Sequence, residues 1–300
     1  MDIPYHSFAG SAPFEFLVGK LATPLYMHAG LASRLSRTMA ALVDGGMIEA
    51  KRRRAVIDDT DEDTFIRVIE FAYTGDYAVA EPDFVPPQPN DVENPSNHLS
   101  HEPSSPPPAE PYPVDEPAPA EPVEDDGWGP FSGNALSYPK KGRKLEDAWG
   151  ESRGFKAEQS WDAFKIKAHT VPKVSWEPEV NEDPRQDYTP VFLCHARLYV
   201  FSDKYFIEPL EELVLQKLRL TLSSFKLHPQ RVGDVVELLN YTYENTPAYD
   251  GKIDKLRNLV SDYLVCHIEK IVHNAEFINL LGNSDLVKDF LPKLVERRLD

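Results

Sequence analysis

Hydrophobic positions recur with two different periods in the first quarter of the chain. Phe14, Phe16 and Val18 alternate with Glu15 and Leu17, the two-residue repeat of a strand that buries one face, and the run ends at Gly19. Pro24 to His28 reads as a second strand and Ala55 to Ile57 as a third. Between Ser36 and Val43 the period lengthens, because Met39 and Leu42 or Val43 fall at helical spacing. Gly45-Gly46 is expected to stop that helix in positive-φ conformers, which glycine alone adopts cheaply. Asp61 then caps a helix in which Phe65, Val68, Ile69, Ala72 and Tyr73 form one apolar stripe, and Gly75 ends it.

From Glu81 to about Pro190 the periodicity is lost. Residues 81–130 hold 15 of the 27 prolines, including Pro106-Pro107-Pro108, and proline neither continues a helix nor donates to a sheet. Residues 81–190 are therefore expected to be a disordered acidic, Pro-rich insertion. After Thr189-Pro190 helical stripes return. Leu210, Leu213, Val214, Leu218 and Leu222 make one, and Val232, Val235, Val236, Leu239 and Tyr243 a second. Leu256, Leu259, Val260, Tyr263, Leu264, His267 and Ile271 make a third, and Phe290, Leu294 and Leu299 follow a start near Ser284. Stripes this wide predict helices packed on one another, so the end of the chain reads as an all-α region.

Charge changes this picture in one respect. The net charge is −17, but Glu81 to Asp126 alone carries −12 and contains no Lys or Arg, which leaves −5 for everything else. The folded parts are thus only mildly acidic, and net charge does not select their partners. Two cysteines, Cys194 and Cys266, an N-terminus without a basic start or an apolar run, and no stretch of membrane-spanning length lead us to expect an intracellular, reducing location, cytoplasm or nucleus, with free thiols.

The residues resemble those of the BTB (POZ) domain family, especially its fungal branch. Phe14 to Lys20 (FEFLVGK) is similar to that family's opening strand, and Leu25-Tyr26-Met27-His28 to its second strand with the histidine that ends it. Ser36 to Leu42 resembles its short helix, Glu49 its acidic residue before the third strand, and Tyr73-Thr74-Gly75-Asp76-Tyr77 its helix exit. His195 to Tyr205 (HARLYVFSDKY) followed by Leu210 to Leu218 resembles its closing helical hairpin. The resemblance implies an α+β fold, a short β-sheet flanked by helices, split into residues 1–80 and 191–222, with a helical extension over 229–300. The family joins its helix exit to the hairpin by a short loop. Lengthening a loop from about 6 to about 110 residues costs on the order of 2.5 kcal/mol, which a folded domain absorbs. Ala12-Pro13 stands where many relatives carry an interface aspartate, and the segment before it is short, so self-association is left open.

The function implied is a non-enzymatic one: an adaptor or scaffold that binds proteins, with no cofactor, no direct nucleic-acid binding and no membrane. Relatives that recruit a cullin scaffold of ubiquitin ligases resemble one another in an apolar-x-Glu step, which Met47-Ile48-Glu49 matches. A cullin is therefore one expected partner, and Met47, Ile48, Glu49, Tyr73 and Tyr77 are the candidate partner-binding residues. The competing reading has Met47 capping the core beneath the sheet and Glu49 solvated in a turn. Lys51-Arg52-Arg53-Arg54 reads as a solvated hairpin before the third strand, whereas Lys140, Lys141, Arg143 and Lys144 are a candidate nuclear import signal, which would suit a nuclear co-regulator instead. All four tryptophans, Trp128, Trp149, Trp161 and Trp176, fall in the insertion. With Phe164 they are candidate linear motifs; Trp161 and Phe164 are spaced to form a helix that docks on this protein or on another. Cys194-His195 and Cys266-His267 suggest zinc, but neighbours on a helix diverge by about 100°, and His267 shares the stripe of Tyr263 and Ile271, so it is expected in the core.

Overall fold

A computed structural model describes His6 and residues 8–86, 158–168, 176–249 and 251–299. These form a mixed α+β fold with a small sheet and a larger helical part. Strands β1 (Pro13–Val18), β2 (Thr23–His28) and β3 (Arg54–Ile57) build one sheet in the order β2-β1-β3. The β1–β2 pair is antiparallel, with Phe14 opposite Met27, and β1–β3 is parallel, with Phe16 opposite Ala55. Period-two alternation puts Phe14, Phe16, Val18, Met27, Ala55 and Ile57 on the buried face.

Helices α1 (Ala29–Leu35), α2 (Arg37–Asp44), α3 (Ile48–Arg52) and α4 (Glu62–Thr74) surround this face. The expected cap and stop of α4 are in place: Asp61 accepts from the Thr64 amide, and Gly75 closes α4 at φ 78° with its amide on Phe71. Ser36, not anticipated as a cap, accepts from the Met39 amide at the start of α2. Gly45 corrects an expectation: it ends α2 in an extended conformation, φ −70° and ψ 179°, not at positive φ. Glycine is needed there because a Cβ would collide with the Ala41 carbonyl oxygen.

The helical part comprises α5 (residues 158–168), α6 (Thr189–Lys204), α7 (Glu208–Ser224), α8 (Val232–Asn245), α9 (Lys255–Ile271), α10 (Ala275–Leu280) and α11 (Ser284–Leu299). The α6–α7 hairpin lies against the sheet region: Phe201 of α6 meets Phe65 of α4 edge-on at 5.8 Å, and Ser36 donates to the Tyr205 carbonyl at 2.6 Å. Helices α8 and α9 pack on the other side of the hairpin, and one buried apolar cluster runs from Phe14 through Phe65 and Phe201 to Leu264 and Phe277.

The expected disordered insertion, 81–190, is corrected at both ends. Asp83–Phe84 (β4) pairs antiparallel with Gln186–Asp187 (β5), and the Val85 amide donates to the Arg185 carbonyl at 3.0 Å. Asn181 is fully buried and mimics a strand edge, accepting from the Lys226 amide at 2.6 Å and donating to its carbonyl at 2.7 Å. Tyr188 donates from its amide to Asp234 and from its hydroxyl to the Glu179 carbonyl. Apart from the Tyr188–Glu179 bond, these pairings join residues 45 or more positions apart in sequence, so local periodicity carries no trace of them.

Candidate functional site

Three places hold the candidate residues, and each treats its apolar groups differently. The first is α3. Met47 precedes it in an extended conformation and Ile48 starts it, and both side chains are 54% exposed. The reading of Met47 as a core cap is thereby corrected. Glu49 lies in the first turn, where a carboxylate faces the positive helix end. Arg53 ends α3 in the left-handed region at φ 52°, a conformation costing a non-glycine residue on the order of 1 kcal/mol. Its amide bonds to the Ala50 and Glu49 carbonyls. Lys51 and Arg52, expected in a hairpin turn, instead form the last helical turn, and residues 51–54 are all exposed. Arg54 pairs with Glu15 across the β1–β3 register, and Tyr26 donates to the same carboxylate at 2.9 Å. Both hold the Glu15 carboxyl below its ordinary range. The result is a ledge with two bare apolar side chains beside a basic turn.

The second place is the exit of α4. Tyr73 is half-buried; its hydroxyl lies 2.5 Å from Nδ1 of His28, and Phe8 meets both rings edge-on. Tyr77 is only 3% exposed, which removes it from the set of partner-binding residues. The αL turn at Gly75 swings it inward, where its hydroxyl lies 2.7 Å from Nδ1 of His195. Lys217 of α7, fully buried, donates to the Tyr77 carbonyl at 2.8 Å and pairs with Asp76 at 2.5 Å. Its Nζ sits 4.3 Å from the Tyr77 ring centroid and 5.0 Å from that of Trp176. Thr221 lies 3.3 Å from Nε2 of His195. Burial, with Lys217 and Arg67 nearby, pushes the His195 imidazole down to about 3, so it is neutral. Sequence reasoning passed over Lys217. The available signal is its position seven residues after Leu210 and three after Val214, which puts it on the apolar stripe of α7.

The third place is α5. Its inward positions, the half-buried Trp161 and the buried Phe164 and Ala168, follow helical spacing, with Ala168 1% and Phe164 3% exposed. Trp161 stacks on Phe164 and meets His267 at 4.6 Å and Tyr263 at 6.0 Å. Phe164 meets Tyr263 at 5.7 Å and lies under the Arg219 guanidinium, while Lys167 pairs with Asp262 at 3.3 Å. Of the two docking modes open in the sequence, the intramolecular one is the one seen. Helix α9 departs from helical geometry at His267, φ −121° and ψ 15°. Nε2 of His267 and the hydroxyl of Tyr263 are buried with no hydrogen-bond partner, a penalty of about 1–3 kcal/mol for each such group. Burial pushes the His267 imidazole down to about 4.

Trp128, Trp149 and the basic residues Lys140, Lys141, Arg143 and Lys144 lie outside the described residues. Both thiols are free and buried; burial raises the Cys194 thiol and pushes Cys266 up to about 12, so neither is an activated nucleophile. His195 is turned to Tyr77 and His267 to Trp161, and among the described residues no group of three or more potential metal ligands is found. No helix among them is long and apolar enough to cross a membrane. No family model, curated protein or solved structure matches the chain.

Proposed function

We propose that this chain is a non-enzymatic protein–protein interaction protein on a BTB-type fold, an adaptor or scaffold that engages a cullin of a ubiquitin ligase through α3. The observation that carries the reading is the ledge. Met47 and Ile48 are large apolar side chains more than half exposed in consecutive positions, held by a five-residue helix whose exit requires a left-handed Arg53. A backbone conformation of that kind persists only where the surroundings enforce it, and here it presents an apolar pair, a carboxylate and a basic turn on one rim. Small hot spots of this make-up bind by burying the apolar anchor while the charges fix its orientation.

The small three-stranded sheet, the α4 exit at Gly75 and the α6–α7 hairpin packed against α4 support the reading. The test is binding of the purified chain to a cullin N-terminal domain by calorimetry, beside the variant Met47→Asp, Glu49→Lys. The intact chain is expected to bind and the variant to lose at least ten-fold in affinity. Equal binding by both, or none by either, sinks the cullin assignment.

A further inference from the structure

The contact between α5 and α9 has features of an occupied ligand groove. Eleven helical residues are too few to hold a helix in water by themselves, so α5 is helical because its face, Trp161, Phe164 and Ala168, is seated on α7 and α9. The opposite face carries Asp162, Ala163 and the 62% exposed Ile166. Anchors at the first, fourth and eighth positions, with a cation at the seventh, are the pattern of an amphipathic helix lying in a groove. The groove supplies matching chemistry: the aromatic pair Tyr263 and His267 for the anchors, Arg219 over the Phe164 ring, and Asp262 for the cation. Asp262 also holds Lys293 at 2.7 Å, so it keeps a cationic neighbour whether or not Lys167 is present.

The fit is incomplete where the two surfaces meet. The Tyr263 hydroxyl, on a residue 1% exposed, and Nε2 of His267 are sealed from water, and α5 offers neither a hydrogen bond. A ligand that sealed the same surface and also satisfied these atoms would bind better than α5 does. The segment nevertheless holds its place because it is tethered to the groove it fills, which gives it a high effective concentration.

We propose that this groove is a docking site for an amphipathic helix of a partner protein, with aromatic residues at its first and fourth positions, Lys or Arg at its seventh and a polar side chain that meets the Tyr263 hydroxyl and Nε2 of His267. Residues 158–168 occupy the site in cis and are displaced when that helix binds. The site is distinct from the α3 ledge, so it stands whether or not a cullin binds there.

The experiment uses the full-length chain and a fluorescein-labelled peptide of residues 156–170 as the stand-in for the partner helix. Fluorescence anisotropy is measured against the intact chain and against Trp161→Ala, Phe164→Ala, which empties the groove. The emptied groove is expected to bind the peptide at least ten-fold more tightly than the intact chain. A Lys167→Glu chain, which keeps the aromatic anchors, is expected to show a smaller gain, and this second variant keeps the test decisive if the double variant does not fold by circular dichroism. Equal binding by all chains, or none by any, overturns the proposal. So does a dimer of the intact chain in light scattering that the Trp161→Ala, Phe164→Ala substitutions dissociate, since the groove is then filled by a second copy.

Discussion

Two contacts in this protein place a tyrosine against a histidine beneath a segment distant in sequence, and they are built to different standards. Tyr77 and His195 lie with ring centroids 5.9 Å apart, and every polar atom there is answered: the tyrosine hydroxyl by Nδ1, Nε2 by Thr221, and the Tyr77 carbonyl by Lys217. Tyr263 and His267 are closer, 4.6 Å, yet the hydroxyl and Nε2 are left unpaired under Trp161 and Phe164. A fully satisfied buried network specifies one arrangement, whereas a partly satisfied one carries a standing penalty that another partner can relieve. The first contact therefore fastens the α6–α7 hairpin to the α4 exit, and the second leaves two buried polar atoms to be satisfied.

The largest expected effect is at Lys217. Replacing it by Ala leaves the Tyr77 carbonyl and Asp76 without their partner and opens space under Trp176, at a cost of about 3 kcal/mol, read as a lowered urea midpoint with an unchanged slope. A loss below about 1 kcal/mol would mean that this contact is not the better-built one. Acid is the next probe. His195 is held at about 3 when folded and titrates near 6.5 when unfolded. The unfolded chain thus binds the extra proton between these values, and stability is full above pH 6.5 and falls as the pH drops below it. Going from pH 6.5 to 4 should cost roughly 3 kcal/mol through His195, at about 1.4 kcal/mol per unit. Asp234, whose carboxyl burial pushes up to about 6, works in the opposite direction over pH 4 to 6. Urea unfolding across this range should therefore show a shallower loss of stability in His195→Gln than in the parent chain.

The smallest effect is the most discriminating. Tyr77→Phe strips His195 of a buried partner and should cost about 1–2 kcal/mol, whereas Tyr263→Phe removes a hydroxyl that has none and should fall within about 0.5 kcal/mol of neutral or stabilise. Thermal unfolding of the two single variants side by side checks this. Equal losses would erase the distinction between the contacts.

Much of the framework was legible in residue pattern. The strand alternation at Phe14, Phe16 and Val18, the cap at Asp61, the stop at Gly75 and the helices of the four C-terminal stripes follow from local rules and are found. Helices α1, α3 and α10 were not anticipated, since each is shorter than eight residues and offers less than a full repeat to detect. The site was less legible than the fold. The pattern identified Met47, Ile48 and Glu49 as a step but left open whether Met47 faced in or out, and it counted the buried Tyr77 among the partner-binding residues. Trp161 and Phe164 were recognisable as a docking face, but not what received them.

The sequence by itself determined the three strands of the main sheet and the longer helices, where several of them stop, and that a proline-rich acidic tract interrupts the chain. These are matters of neighbours within a few residues, where backbone conformation, capping and side-chain period are set. Tertiary structure alone decided that Lys217 is buried, that Met47 is bare, that Asn181 and β5 belong to the folded unit, and that Tyr263 lacks a partner. Each depends on groups brought together across tens to hundreds of residues, and whether a polar atom is satisfied or an apolar one covered is settled only by what arrives from the other side.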